Sequence, residues 1–330
     1  MNYLRIIMVV FFCSVSTSAH CLTTKDPLYV DLSKTLGFIT GQDYSLNRIK
    51  SQYPDLAARV KIAELEFNTS FGIGKKGVTK ALQGILKEKY QENLKTMQAQ
   101  IKEALSTQQL THDIADGFIA EVVARAKGEI PSPILETLLI YEFENSPSEE
   151  FSRGYTKVFL TKDHPKSKGV NCQIRYPASW QAKEGERPNI IQKFVSQNGR
   201  SLEMFLIMVK ELPLPPGYII SKQEMDEFFV ESELKGLVPE GGSFISAKPI
   251  VLDNHQGGMI FFDHTLRRLD QTITSRNLNF VTILRNKMIF IQCMVFASPG
   301  KQNELKEHFN KFEALFKMIG NSFIIQEQYK

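Results

Sequence analysis

Residues 168–180 read Lys168-Gly169-Val170-Asn171-Cys172-Gln173-Ile174-Arg175-Tyr176-Pro177-Ala178-Ser179-Trp180. From Val170 to Tyr176 apolar and polar residues alternate, the period of a β-strand with one buried face. Pro177 has a fixed φ and no N–H to give to a ladder, so the strand ends there. Trp180, the only tryptophan of the chain, follows with a large apolar body to bury. Tyr176, Pro177 and Trp180 are therefore expected to form a structural corner anchored in a core. Downstream, Ile190 to Val195, Leu202 to Val209, Phe244 to Leu252, Gly258 to Leu266, Asn277 to Leu284 and Met288 to Phe296 also read as strands. Arg285-Asn286-Lys287 is a tight turn between the last two. After the rigid turn Pro213 to Gly217, Ser221 and Glu224 spell a capping box. The helix it opens is expected to run to about Leu237, closed by Pro239-Glu240-Gly241-Gly242. Ser298-Pro299 is expected to open a terminal helix burying Leu305, Phe309, Phe312, Phe316 and Ile319, with Gly320 at its end. Strands joined by short turns pair antiparallel, and helices on their faces complete an α+β sandwich.

The run from Lys168 to Trp180, with its Tyr-Pro-x-x-Trp corner, resembles the opening of PsbP-like domains. Glu184 to Pro188 as a loop and Ile190 to Phe194 as the next strand fit the same order. The resemblance covers residues 168–321. It implies an α/β/α sandwich around an antiparallel sheet, a fold shared with a Ran-binding nuclear import factor. It also implies a binding or assembly module, often an extrinsic subunit of a larger complex, and no catalytic residue set.

Upstream the pattern is helical, and residues 38–142 carry no such resemblance. Leu56, Val60, Ala63, Phe67 and Phe71 fall at three-and-four spacing on one helix face. Gly72-Ile73-Gly74-Lys75-Lys76-Gly77 is expected to break that helix. A second follows through Val78, Leu82, Ile85, Leu94 and Leu105. A third starts at Thr111, which can cap it, and ends at Gly128. Ser132-Pro133 opens a short fourth through Leu135, Leu138 and Leu139. Residues 143–168, rich in Ser, Glu, Pro and Lys, read as a linker or domain boundary, and residues 20–37 as a mature arm without periodicity. The expected division is thus 1–19 signal peptide, 20–37 arm, 38–142 helical domain, 143–168 linker or boundary and 169–325 α+β domain.

The signal peptide rests on Arg5, the apolar run Ile6 to Val15 and the small residues Thr17-Ser18-Ala19. The run is shorter than the roughly 20 residues a membrane span needs. His20 stands where a lipoprotein would carry a small residue before Cys21. The expectation is export by a bacterial cell, to the periplasm or beyond, with no transmembrane segment after cleavage. The chain has 330 residues and a net charge of +4, room for about two domains and far from the dense positive field of a nucleic-acid binder. In an oxidising compartment Cys172 and Cys293 can either bridge or stay as buried thiols.

Candidate chemistry is sparse. The glycine run at 72–77 matches a dinucleotide fingerprint in letters only, because a helix and not a strand precedes it. It is no P-loop, since Val78 stands where lysine is required. No cofactor is expected. Asp163-His164, Asp253-x-His255 and Asp263-His264 place carboxylates beside histidines, but a hairpin over 250–266 would hold His255 and His264 apart. Arg267, Arg268 and Arg276 bracket the connection Leu269 to Ser275 and would share one end of a hairpin, a contact for an anionic partner. The leading expectation is a non-enzymatic accessory or assembly protein of the cell envelope. Its partner would be another envelope protein, with an anionic lipid headgroup as the second choice. The alternative is a periplasmic hydrolase or metal-dependent enzyme using His255, His264 or nearby carboxylates.

Overall fold

The computed structural model of the chain describes residues 26–268, 271–298 and 300–329. The expected signal peptide, Cys13, Cys21 and Pro299 lie outside them.

The first half is a packed set of helices: α1 (Pro27–Gln52), α2 (Ala57–Leu86), α3 (Tyr90–Ser106), α4 (His112–Ala126) and α5 (Ile134–Glu142). Asp26 caps α1 by accepting the Leu28 N–H at 2.9 Å, with Pro27 in the first turn. Residues 27–37, expected as an arm, are therefore helical. Their periodicity was hidden because the buried side of α1 includes Thr35, Gly37, Gly41 and Gln42 beside its leucines and isoleucines. Thr111 caps α4 by accepting the Ile114 N–H at 3.3 Å.

The glycine run does not break α2. The helix passes through it with one kink, at Phe71 (φ −136°, ψ 18°). Gly74 and Gly77 lie one turn apart and face α5. A Cβ on Gly77 would stand 2.5 Å from the Cβ of Tyr141, and one on Gly74 2.7 Å from the Leu138 carbonyl oxygen. Just past the kink, the Gly74 N–H is donated to Glu142 Oε2 at 2.7 Å. The run does hold an anion at a helix-terminus-like site, but the anion is a carboxylate of the same chain. Burial pushes the Glu142 carboxyl up, and the amides of Gly74 and Ile73 pull it part of the way back.

Residues 143–168, expected as a linker or boundary, carry short packed elements. Phe143 belongs to the helical core and Phe151, on α6 (Pro147–Ser152), to the sandwich core. β1 (Thr156–Leu160) pairs antiparallel with β2 (Cys172–Pro177), whose other edge takes β10 (Ile324–Ile325). The segment reads as polar because these elements are short and lie at the surface: Val158 and Leu160 of β1 are exposed.

The main sheet is antiparallel. Its strands are β3 (Gln181–Glu184), β4 (Ile190–Val195), β5 (Glu203–Glu211), β6 (Gly242–Leu252), β7 (His255–Arg268), β8 (Gln271–Leu284) and β9 (Lys287–Phe296), in the spatial order β3-β4-β5-β9-β8-β7-β6. One face carries Phe205, Ile207, Leu278, Phe280, Ile291 and Cys293 and is covered by α9 (Leu305–Asn321). The other carries Leu206, Met208, Ile260, Phe262 and Phe290 under α7 (Lys222–Phe228) and α8 (Glu231–Lys235). These layers make the second half an α+β sandwich. The capping box at Ser221 and Glu224 is present, but the helix stops at Phe228. Phe229 turns into the sheet core and α8 restarts two residues later. The terminal helix begins at Leu305, after a 3₁₀ turn at Gln302–Glu304 and not at Ser298. Gly320 sits inside it, where a Cβ would come within 2.8 Å of the Phe280 ring.

The two halves meet along a continuous seam. The Tyr155 ring stands 5.9 Å from Phe71 and 6.0 Å from Phe143, Ala178 enters the helical core, and Arg200 pairs with Asp31 at 2.9 Å. The glycines of α2 give a direct test of helix packing. Gly77→Ala should destabilise the protein by about 1–3 kcal/mol through overpacking. Gly72→Ala, whose Cβ would meet nothing within 4 Å, should be neutral or stabilising by up to about 1 kcal/mol. Urea melts of both variants check this; equal effects would show that the α2–α5 approach is not tight.

Candidate functional site

Past His264, which pairs with Gly242, and Ser275, which pairs with Phe296, β7 and β8 pair only with each other, from Thr265↔Thr274 to Arg268↔Gln271. The neighbours hold on to the first of these rungs alone, through Thr265 N–H to Gly241 O (3.1 Å) and Ala297 N–H to Thr274 O (2.8 Å). The remaining rungs form a two-stranded arm projecting by about 10 Å at strand rise. Leu266 and Ile273 face each other across it, each 38% exposed. Beside its base lies a cleft of about 490 Å³ lined by Glu240, Gly241, Thr265 and Leu266.

Two parts of the expected arginine cluster change. Within the connection expected over Leu269 to Ser275, residues 271–275 are strand, because the ladder continues to Gln271. Arg276 pairs with Asp263 in mid-strand, and the two side chains form a fork, Nε to Oδ1 and Nη2 to Oδ2, both 2.7 Å. The Asp263 bonds raise the arginine's already high pKa. A neutralised, bidentate arginine is not free for a partner. By register, only Arg267 and Arg268 lie at the end of the arm.

The opposite end of the sheet holds Arg285, at φ 57° in the β8–β9 turn and paired with Glu327 at 2.7 Å. It borders an open cleft of about 690 Å³ that also takes in Lys162, Asp163, His164 and Ser167. The histidines do not converge. His164 contacts Glu184 Oε2 (3.2 Å) and accepts the Lys166 N–H through Nδ1 (3.2 Å). His255 donates from Nδ1 to the Asp253 carbonyl oxygen (2.9 Å), and His264 from Nε2 to that of Glu240 (3.1 Å). These two stand near opposite ends of β7, about 30 Å apart at strand rise. Asp253 instead accepts the Ile325 N–H (2.5 Å) and the Tyr329 hydroxyl (2.5 Å), holding the chain's last residues.

The corner residues lie within the sandwich. Tyr176 packs on Phe194 (4.6 Å between ring centroids), Phe194 stacks on Phe205 (4.3 Å), and Phe205 meets Trp180 (6.0 Å), which is only 4% exposed. Cys172 and Cys293 are free, fully buried thiols on different sheets, so the bridge an oxidising compartment would permit is not made. Burial pushes Cys172 up to about 12 against the opposing hydrogen bond of Thr161, and burial raises Cys293 as well. Both are poor nucleophiles at neutral pH.

Two buried clusters escaped the sequence. Glu203, at the start of β5, binds Ser196 Oγ and is met by His308 Nε2 of α9 at 2.7 Å. Burial pushes Glu203 up, but the bonds from His308, Ser196 and Ser201 outweigh it, and the net shift is downward. Glu150 of α6 accepts the Ser179 N–H (2.8 Å) and its hydroxyl (2.7 Å). Neither could be read from spacing, because the partners come from separate elements.

No protein-family model matches the chain, and no curated protein matches it. Among solved structures it is similar to cyanobacterial PsbP (CyanoP) from Synechocystis sp. PCC 6803, at 15% identity over 52% of this chain and 92% of that one, TM-score 0.32. It is similar to LpqN of Mycobacterium tuberculosis, described as involved in cell envelope biogenesis, at 10% identity over 54% and 96%, TM-score 0.31. A protein of Bacteroides thetaiotaomicron VPI-5482 is similar at 14% identity over 53% and 50%, TM-score 0.29.

Because the folded Glu203 carboxyl lies below its unfolded value, its contribution is present above about pH 4.3 and fades as pH falls through the folded value. Glu203→Gln should lower stability by about 1–3 kcal/mol at pH 7, with the gap to wild type closing toward pH 3. Thermal melts across that range check the sign; a gap that widens on acidification would contradict it.

Proposed function

We propose that this protein is an exported, non-enzymatic accessory or assembly factor of the bacterial cell envelope, working as a binding module through its β7–β8 arm. The observation that carries this reading is the arm itself. It leaves the sheet with an exposed Leu266–Ile273 pair and places Arg267 and Arg268 at its end by register. An exposed apolar pair followed in sequence by two arginines suits a partner with an acidic rim around an apolar contact. That partner is another envelope protein, with anionic lipid as the competing surface. Export rests on the first 19 residues as a cleaved signal.

The test is affinity capture from an envelope fraction by the mature protein, comparing Arg267→Glu/Arg268→Glu and Leu266→Ser/Ile273→Ser with wild type. One envelope protein should be captured reproducibly by wild type, weakened by salt and reduced at least tenfold by either double variant. Capture unaffected by both would end the assignment to the arm. Binding to anionic vesicles with no protein captured would transfer the partner to lipid.

A further inference from the structure

The seam carries an arrangement that neither packing nor the proposed binding role requires. Glu136 of α5 and Glu150 of α6 are 6% and 4% exposed. Glu136 Oε1 meets Lys157 Nζ of β1 at 3.0 Å, while its Oε2 is buried without a hydrogen bond. Glu150 has only the hydroxyl and N–H of Ser179. Two buried carboxylates thus share one ammonium, and that ammonium is committed to Glu136. Both acids cannot ionise there without leaving an unmatched buried charge.

We propose that this junction is a proton-controlled joint: it is held closed by a single proton on the Glu136–Glu150 pair and loosens when that proton leaves. The proton belongs on Glu150, the member with neutral partners. Protonated, its carboxyl is neutral and still accepts the Ser179 N–H on Oε1 and the Ser179 hydroxyl on Oε2. Ionised, it adds a negative charge beside Glu136 at the surface where the halves touch. Burial is the main cause that pushes Glu150 up, to about 7; Ser179 and Lys157 oppose it, and Glu136 adds to it. The charged groups acting on it are Lys157 from β1 and Glu136 from α5. From β2, Arg175 is turned onto the Phe151 ring (5.5 Å) and toward Thr156 Oγ1. α9 adjoins α6 where Phe151 enters the apolar core.

The direction follows from linkage. The closed-state value of about 7 lies above an exposed glutamate's value of about 4.3. Closure is therefore fully favoured below the lower value and is lost as pH rises through the upper one. Over that interval the open-to-closed ratio should rise about tenfold per pH unit and level off above pH 7.

Trp180, the sole tryptophan, adjoins Ser179 and reports on the joint directly. The experiment follows its emission, and the rate of limited proteolysis between residues 143 and 156, from pH 5 to 8.5. Wild type should show an emission change with a midpoint near 7 and cleavage that accelerates up to that point. Glu150→Gln, neutral and isosteric, should abolish both. Glu136→Gln, which removes the like charge while leaving Glu150 titratable, should move the midpoint down and serves if the first variant folds poorly. An emission flat across the range in wild type overturns the proposal. So does a transition that survives in Glu150→Gln, which would belong to another group.

Discussion

Four consecutive residues at the end of β2 hold the molecule together, and they do so in opposite directions. Pro177 ends the strand, Ala178 drops into the helical core, Ser179 gives two hydrogen bonds to Glu150, and Trp180 returns into the sandwich core. A chain cannot feed two cores within one turn unless the backbone is fixed. The proline's locked φ does this, together with the Ala178 N–H to Tyr155 O bond (2.9 Å) and the Trp180 N–H to Pro177 O bond (3.0 Å). The seam, the aromatic row from Tyr176 to Trp180 and the position of the Glu150 carboxyl all follow from this turn.

The long strands were legible because each has one face in an apolar layer, which imposes the period of two. Ile190 to Val195 was read to the residue. β1, β3 and β10 were not, since five residues or fewer give alternation too little length to show, and Val158 and Leu160 turn their apolar surface outward. The beginning of α1 was hidden for the opposite reason, because part of its buried side is Thr, Gly and Gln. The arginine cluster failed on register. Sequence proximity put Arg276 with Arg267 and Arg268, whereas the ladder sets it opposite Asp263. Nothing in the order of residues pairs Glu203 with His308 or Glu150 with Glu136; those meetings exist only after the layers close.

The polar interior is sparing with charge. Among the described residues, His255 and His264 bond to backbone carbonyls, and Arg276 and Arg125 are each matched by a carboxylate. Glu203 sits among hydroxyls with a histidine at its edge. Glu136 and Glu150 depart from that pattern with more acid than base. An imbalance at this contact surface is relieved more readily than one within a core, since relief there needs only that the halves separate slightly.

The close approach of α2 and α5 bears on this balance. α5 carries Glu136, and its distance from α2 is set by the absent side chains of Gly74 and Gly77. Those two glycines act as a gauge block: they fix how deep α5 lies, and with it how far one buried acid stands from the other. Steric bulk added on the far side of the helical half would be felt as a change in electrostatics at the seam, with no charged residue altered.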